Sequence, residues 1–281
     1  MKNFNYRVVF WGVRGSRPVP GRDTIKFGGN TPCIEIQLGE RLLILDAGTG
    51  ICELGQHLDS ALKSVSADIF ITHTHWDHIQ GLPFFGPIFK AQNRFTLYGP
   101  GKESTTFAQL CEFQMRPEFF PVSIQQLGAD VQFCQLQGNQ ILDLKNGIAV
   151  KTFSNNHPGG GLSYRIEYND RTCCYVTDYE HQDPIDNNLI EFVKGADLLV
   201  YDSNFTNQEY TGSASVPGKK GWGHSTWQEG IKLVRASGAG QLVLFHHASF
   251  RTDEEMEQIE QIAREEYPNL LAAREGMVID L

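Results

Sequence analysis

The six residues H-T-H-W-D-H at positions 73–78 bring four potential metal ligands close together in the chain, directly after a run of β-forming residues. Alternate side chains of an extended segment point the same way, so His73 and His75 can reach one ion together. A turn after them would carry Asp77 and His78 towards a second ion. Zinc prefers imidazole and carboxylate ligands, and manganese and iron accept them as well. The stretch therefore predicts a metal site.

Three more residues of the same types each follow a later strand-like run, namely His157, Asp178 and His246. Together with the H-x-H-x-D-H pattern, they resemble the metallo-β-lactamase superfamily over nearly the whole chain. The resemblance implies an α/β (α+β) fold, a four-layer αβ/βα sandwich in which two mixed β-sheets are flanked by helices. It also implies two divalent ions as cofactors, zinc first, with manganese or iron as alternatives.

The same resemblance implies how the ligands divide between the two ions. One ion would be held by His73, His75 and His157, the other by Asp77, His78 and His246, with Asp178 bridging both. Two divalent ions carry more charge than two carboxylates remove, so a positive charge remains to attract a phosphate. Such a pair, about 3.5–4 Å apart, lowers the pKa of bound water and clamps the attacking and leaving oxygens. This arrangement suits hydrolysis of a phosphodiester.

Two aspartates are expected to support the ligands. Asp46 ends a strand-like run before Ala-Gly-Thr-Gly, and in the superfamily such an aspartate accepts a hydrogen bond from a metal-bound imidazole. The alternative is a strand-end aspartate that caps a turn. The loop lacks the Gly-Lys-Ser/Thr of a phosphate-binding loop. Asp202, at another strand end, is expected to bond His224 or a ligand.

The element Gly223-His224-Ser225-Thr226 resembles the H-S-T element of the phosphodiesterase and tRNase Z branch of the superfamily. It implies that His224 is a general acid, a role that imidazole fits near neutral pH. A histidine that merely opens a helix is the alternative. The catalytic residues implied are therefore Asp77 and His224, acting with a hydroxide that bridges the two ions.

Length and composition are those of an ordinary globular enzyme, with 281 residues, 41% hydrophobic and 20% charged. The expected ligands run from His73 to His246 and must converge, so one hydrolase domain over residues 1–281 is predicted. The formal net charge of −9 argues against broad binding to nucleic acid or to an anionic membrane.

The six cysteines form no C-x-x-C pair, and several lie in apolar runs, which favours reduced thiols in the cytoplasm. The N-terminal residues 1–7 lack the apolar core of a signal peptide. No apolar run approaches the roughly 18 residues that a membrane span requires. We therefore expect a cytoplasmic protein with no membrane partner.

Hydrophobic periodicity locates the elements that must position these side chains. Strands are predicted at residues 6–11, 33–38, 41–46, 67–72, 94–98, 148–153, 162–168, 172–176, 197–201 and 241–245. Helices are predicted at residues 50–64, 187–194, 224–234 and 253–267. The aromatic-rich segment 103–127 is open to three interpretations: a lid that faces the substrate, a dimer interface, or ordinary packing.

The substrate is expected to be a small phosphodiester, above all a cyclic nucleotide, because the motifs G-V-R-G-S, G-G-N-T and H-T-H-W-D-H resemble phosphodiesterases of that kind. Processing of tRNA 3′ ends is disfavoured, since the short stretch between His157 and Asp178 leaves no room for a tRNA-binding arm. We therefore expect no stable nucleic-acid partner, and a homodimer is left open. A hydrolase of carboxylic esters, thioesters or lactones is the alternative, and a nucleotide sensor without turnover is a third. No substrate-binding residue is identified.

Overall fold

The computed structural model describes residues 6–281, so the N-terminal residues 1–5, which enter the expectation about a signal peptide, lie outside it. The described residues form fourteen strands, which are β1 (Tyr6–Gly12), β2 (Cys33–Leu38), β3 (Arg41–Leu45), β4 (Ser66–Phe70), β5 (Arg94–Pro100), β6 (Asp130–Leu136), β7 (Ile141–Asp143), β8 (Ala149–Ser154), β9 (Leu162–Tyr168), β10 (Arg171–Val176), β11 (Leu198–Asp202), β12 (Gln241–Phe245), β13 (Leu270–Ala272) and β14 (Val278–Asp280). They also form seven α-helices, which are α1 (Gly50–Ala61), α2 (Trp76–Ile79), α3 (Phe107–Gln114), α4 (Asn187–Val193), α5 (Asn207–Thr211), α6 (Trp227–Ser237) and α7 (Asp253–Glu266).

The strands build two seven-stranded sheets with the same pattern of pairing. The first sheet has the order β14-β1-β2-β3-β4-β5-β6, and its first three pairs are antiparallel while its last three are parallel. The second has the order β7-β8-β9-β10-β11-β12-β13, again with three antiparallel pairs followed by three parallel pairs. Both sheets are therefore mixed, as predicted.

The two sheets face each other across one apolar core, in which Phe10 and Phe70 of the first sheet pack with Tyr164 and Phe245 of the second. A second cluster joins the outer face of the second sheet to α4, α6 and α7. A third joins the outer face of the first sheet to α1 and α3. The predicted four-layer sandwich is confirmed.

Burial on both faces explains why the sequence signal of the central strands is a run of apolar residues rather than an alternation. All five residues of β11 are buried, and so are the last four of β3. Strands at the ends of the sheets bury less. The edge strand β6 has only one fully buried residue, and both β13 and β14 have three residues each. Sequence periodicity therefore predicted the central strands and missed these three edge strands and a fourth, the three-residue β7.

Parallel strands of both sheets end at the same region, and the expected ligands follow these ends. In the first sheet, β3 leads into Asp46 and β4 leads towards His73. In the second sheet, β10, β11 and β12 lead to Asp178, Asp202 and His246, respectively. Loops at the carboxyl ends of parallel strands are where open α/β sheets bind their ligands.

Within residues 6–281, no helix combines the length and the apolar character needed to cross a membrane.

Candidate metal centre

One group of nitrogen donors comes from three histidines. The ligand atoms of His73, His75 and His157 lie within 4.8 Å of one another. His75 Nδ1 is 3.1 Å from His157 Nε2. Asp178 Oδ1 lies 3.7 Å from His73 Nε2 and 3.8 Å from His157 Nε2. These are the residues that sequence analysis assigns to the first ion, and the structure brings them together.

The second group contains two imidazole nitrogens and two carboxylate oxygens, and its donor atoms lie closer together than those of the first group. His78 Nε2 lies 3.3 Å from His246 Nε2, 3.4 Å from Asp77 Oδ2 and 3.1 Å from Asp178 Oδ2. His246 Nε2 lies 3.1 Å from Asp77 Oδ2 and 3.4 Å from Asp178 Oδ2. Four ligands about 2.0–2.1 Å from a tetrahedral zinc ion would be about 3.3–3.4 Å from each other. The two imidazole nitrogens therefore have this spacing, both from each other and from each of the two carboxylate oxygens.

Asp178 belongs to both groups. Its Oδ1 faces the first group and its Oδ2 faces the second, and its side chain is almost fully buried. A carboxylate that offers one oxygen to each of two donor groups can bridge two ions. The structure therefore places Asp178 where the sequence-based assignment requires a bridging ligand.

Hydrogen bonds fix which nitrogen of two ligand rings is free. His78 Nδ1 lies 2.8 Å from Asp46 Oδ2, and because a carboxylate only accepts, Nδ1 carries the proton. His157 Nδ1 donates in the same way to the carbonyl oxygen of Gly223 at 2.8 Å. In the neutral form of both rings the lone pair of Nε2 therefore points into the cluster, which is the tautomer that a metal ligand needs.

The donor set fits divalent cations and is poorly satisfied by the protein alone. His73 Nε2 is buried without a hydrogen-bond partner among the described residues. With both Nδ1 protons committed, His78 Nε2 and His157 Nε2 present lone pairs to other ring nitrogens at 3.3 and 3.1 Å. Such contacts are repulsive unless a proton or a cation lies between the rings. Imidazole nitrogens and carboxylate oxygens in this arrangement are the ligands that zinc takes.

The buried carboxylates give the cluster a negative charge that favours the binding of cations. Burial alone would lower the pKa of His78, but Asp178, Asp77 and Asp46 outweigh it and raise that pKa well above its usual value. Burial and the neighbouring imidazoles lower the pKa of His73 well below its usual value. Burial would raise the pKa of Asp178, but the surrounding histidines hold it well below the ordinary range. The carboxylates therefore stay ionised and available as ligands.

Three residues of the centre have left-handed backbone conformations that are uncommon for residues other than glycine. The φ angles are 61° at Asp46, 52° at Asp178 and 60° at His246. All three come at or just after the end of a strand, where the chain must turn sharply to direct the side chain into the cluster. Such conformations cost of order 1–3 kcal/mol each and concentrate at functional sites.

His224 lies over the cluster from the side of the second sheet. Its ring stacks on that of His246, with centroids 5.0 Å apart, and lies 5.5 Å from the ring of His157. Its Nδ1 donates to Asp202 Oδ2 at 2.9 Å. Burial would lower the pKa of His224, but the charge and hydrogen bond of Asp202 outweigh it and raise that pKa to about 9. His224 can therefore hold a proton beside the ligands at neutral pH.

Asp202 and the helix cap hold His224 in place. The Asp202 carboxylate also accepts from the backbone N–H groups of Asp178, Asn204 and Ser225, at 2.9, 3.1 and 3.3 Å. Thr226 caps α6 by accepting from the N–H of Glu229. One buried carboxylate thus orients His224 and also fixes the backbone of Asp178, whose oxygens face both donor groups.

Several residues that were given no role from the sequence contact the centre. Thr72 and Thr177 donate to Asp46 Oδ1 and Asp178 Oδ2 at 3.0 and 2.8 Å, and three more contacts come from other segments. The backbone N–H of Ser16 donates to Asp77 Oδ2 at 2.7 Å, the hydroxyl of Tyr175 donates to Asp46 Oδ2 at 2.8 Å, and Asn204 Nδ2 donates to the carbonyl of His246 at 2.9 Å. Ser16 lies in the G-V-R-G-S motif, which contributed to the family resemblance although none of its residues was assigned a function. Tyr175 is an ordinary strand residue in the sequence, and nothing in its context indicates the bond.

Two other histidines lie apart from the ligand groups. His247 Nε2 bonds the carbonyl oxygen of Ala273 at 2.7 Å, in the core. His181 Nδ1 bonds the hydroxyl of Ser225 at 3.1 Å, and its ring packs on Tyr210.

We expect Asp46→Asn to weaken zinc binding by about tenfold to a hundredfold, the usual effect of changing a hydrogen-bond partner of a metal ligand. The amide keeps the shape of the side chain but removes the negative charge that faces His78 Nδ1 at 2.8 Å. Competition with a chelating dye measures the affinity. Asp143→Asn, an exposed carboxylate paired with Lys145, is the control. Equal affinity in both variants would contradict a role for Asp46.

Comparison with known proteins gives a family and a fold. Residues 41–247 match the family described as Beta-lactamase superfamily domain. The Ribonuclease Z of Thermoplasma acidophilum is 25% identical over 297 residues, with 89% of this chain and 88% of that protein covered. The zinc-bound PqqB from Methylobacterium extorquens has a TM-score of 0.71 at 20% identity and covers 98% of this chain and 100% of its own. A diphosphatase from the PhnP family has a TM-score of 0.69 at 18% identity, with 98% of both chains covered.

These relatives overturn one expectation from the sequence. A small-molecule substrate with no nucleic-acid partner was expected, yet relatives that span most of the chain are named Ribonuclease Z. The expectation relied on the net charge of −9 and on the lack of room for a tRNA-binding arm between His157 and Asp178, and it is wrong because neither feature excludes RNA from a metal centre. Net charge averages over the whole surface, whereas bound divalent ions are the largest charges in a metal site and set its local field.

Proposed function

Since the chain belongs to the beta-lactamase superfamily, we propose that it is a metal-dependent phosphodiesterase that uses two divalent ions. The observation that carries this proposal is the position of Asp178, whose two oxygens face two separate groups of donors. The first ion would be held by His73, His75 and His157, and the second by Asp77, His78 and His246, with Asp178 shared. Bound there, divalent ions supply an activated water and neutralise charge on the phosphate.

The protein side chains orient the substrate and move the proton. His75 is exposed while His73 and His78 are fully buried, so the centre opens to solvent on the side of His75. A scissile phosphate would enter from that side. His224, with Nδ1 bonded to Asp202, would donate the proton on Nε2 to the leaving oxygen. Asp77, fixed by the N–H of Ser16, would act as ligand and keep its charge beside the reacting group.

RNA is the substrate class that the relatives named Ribonuclease Z support. A cyclic nucleotide is the second candidate, and a structural feature favours it. Between His157 and Asp178 the chain forms only the β9–β10 hairpin, whose turn is Asn169-Asp170. No arm for gripping a large RNA is inserted at this point. Both candidates present a phosphodiester beside a nucleoside.

Zinc is the metal that we propose, because the nitrogens of His78 and His246 lie 3.1–3.4 Å from each other and from two carboxylate oxygens, as in a zinc site, and manganese or iron would compete for it. We also propose a cytoplasmic location, since the six cysteines are free and such thiols persist in a reducing compartment.

Turnover of a substrate panel by zinc- or manganese-loaded protein tests the proposal. The panel contains bis-p-nitrophenyl phosphate, 3′,5′- and 2′,3′-cyclic nucleotides, an RNA with a 3′ extension, a lactone and a thioester. We expect cleavage of phosphodiesters that a chelator abolishes, and the preferred nucleotide substrate distinguishes RNA from a cyclic nucleotide. Hydrolysis of the lactone or the thioester without any phosphodiester would overturn the proposal.

A further inference from the structure

An apolar cleft of 660 Å³ adjoins the metal motif. It is lined by residues of two segments, 74–84 and 110–120. Part of the aromatic-rich segment 103–127 therefore forms one wall of the cleft. Thr74 and Trp76, which flank the ligand His75 in the chain, belong to its lining. The cleft therefore begins on the same exposed stretch of chain as His75, the side on which the metal centre opens to solvent.

Aromatic rings dominate the cleft and are left uncovered. Trp76, Phe84 and Phe119 are 75%, 63% and 70% exposed, although large apolar side chains are usually buried. Phe120 meets Phe84 edge-on, with ring centroids 5.4 Å apart, which holds the Phe84 ring in place. Exposed aromatic residues gathered around one concave site mark a binding surface rather than scattered surface residues.

The polar groups of the cleft are few and of a particular kind. Glu118 is the one charged side chain among the described residues that line it, and the nearby Arg116 guanidinium lies over the ring of Phe113, 4.3 Å from its centroid. Gln114 Nε2 is buried at the wall and has no hydrogen-bond partner in the described part of the chain. An unpaired buried donor costs free energy unless a ligand acceptor meets it. The cleft thus suits an uncharged, flat ligand with an acceptor on its edge.

We propose that this cleft binds an unpaired nucleobase of the substrate, by stacking on Trp76, Phe84 and Phe119 and by a hydrogen bond from Gln114. The assignment rests on the proposed phosphodiesterase function for the identity of the ligand. Unpaired bases are recognised in proteins by stacking on aromatic side chains and by bonds to their edges. The phosphate would be held by the metal centre, and the cleft would select substrates that carry a base beside it.

Two substrates with the same leaving group isolate this contribution. Thymidine 5′-(p-nitrophenyl phosphate) carries a nucleoside where methyl p-nitrophenyl phosphate carries only a methyl group. We expect the zinc-loaded protein to prefer the nucleoside substrate in kcat/KM, and Phe119→Ala to reduce that preference about tenfold, mainly through KM, as expected for one lost stacking contact. Phe250→Ala, an exposed phenylalanine outside the cleft, is the matched control and should keep the preference.

Equilibrium dialysis of thymidine 5′-monophosphate separates this inference from the proposed function. If neither substrate is hydrolysed but the nucleotide binds the parent protein more tightly than Phe119→Ala, the phosphodiesterase proposal fails and the cleft assignment stands. An equal preference in the parent protein and Phe119→Ala, with equal nucleotide affinity, would overturn the assignment. A dimer that Phe119→Ala dissociates would also overturn it, because a second copy of the chain would then cover the cleft.

Discussion

Asp178→Asn is expected to lower phosphodiester hydrolysis by about a thousandfold or more, since the Lewis-acid contribution of bound ions is worth several kcal/mol. The asparagine keeps the volume of the side chain but loses its charge and one of its two oxygens. Asp178 is the residue that both donor groups share, and its oxygens lie within 3.1–3.8 Å of four imidazole nitrogens of these groups and of His224 Nδ1. Neither ion can then be held as before, so the metal content after dialysis should fall together with the rate.

The backbone does not complicate this substitution, because asparagine tolerates the left-handed conformation at least as well as aspartate. Asp170→Asn provides a matched control. Asp170 has a φ of 59° close to the 52° of Asp178, but lies exposed at the β9–β10 turn. We expect Asp170→Asn to keep full activity and metal content, measured by elemental analysis. Undiminished metal content in Asp178→Asn would show that Asp178 is not a shared ligand.

His224→Ala is expected to reduce kcat by about 10²–10⁴, the usual contribution of a general acid, and to leave the bound metal in place. The loss should depend on the leaving group. A ribose oxygen needs a proton as it departs, whereas p-nitrophenolate does not, so the reduction should be much smaller with bis-p-nitrophenyl phosphate. His224→Gln should show the same loss. Its amide can still donate a hydrogen bond to Asp202 but cannot donate a proton to the leaving oxygen, so this variant separates the acid from the bond.

The matched control is His57→Ala, which removes an exposed histidine on α1. Rates within experimental error of the parent protein are expected for it with both kinds of substrate. An equal reduction by His224→Ala for alcohol and p-nitrophenol leaving groups would exclude proton donation as its role. A loss of metal in that variant would instead make His224 a structural support of the centre.

The strands and the polar residues that follow them could be located from the sequence for one physical reason, whereas the sandwich fold and the expected ligand set came from the family resemblance. Central strands buried on both faces leave long apolar runs, and the residues that follow them, such as Asp178 and His246, stand out as polar groups at strand ends. The H-x-H spacing adds the alternation of an extended segment. Where a strand buries little, as β6 does at the edge of its sheet, this contrast disappears and so does the prediction.

Other features depend on tertiary contacts and left no trace in the local sequence. The bond from Tyr175 to Asp46 joins residues 129 positions apart, and the backbone N–H of Ser16 reaches Asp77 from a separate loop. The cleft could not be predicted either, because the sequence of segment 103–127 does not show whether its phenylalanines face solvent or the core. The expectation of no nucleic-acid partner was wrong, since whole-chain charge does not report the field at a metal centre.

The repeated pattern of the two sheets has a mechanical consequence. Strands β1–β6 and β7–β13 form two units of similar connectivity, and the expected ligands are divided between them: residues 73–78 come from the first unit, while His157, Asp178 and His246 come from the second. Each ion would therefore have ligands from both halves and would cross-link them. Part of the free energy of metal binding then becomes free energy of holding the halves together. Removal of the ions by a chelator would therefore abolish catalytic activity and would also weaken the association of the two halves.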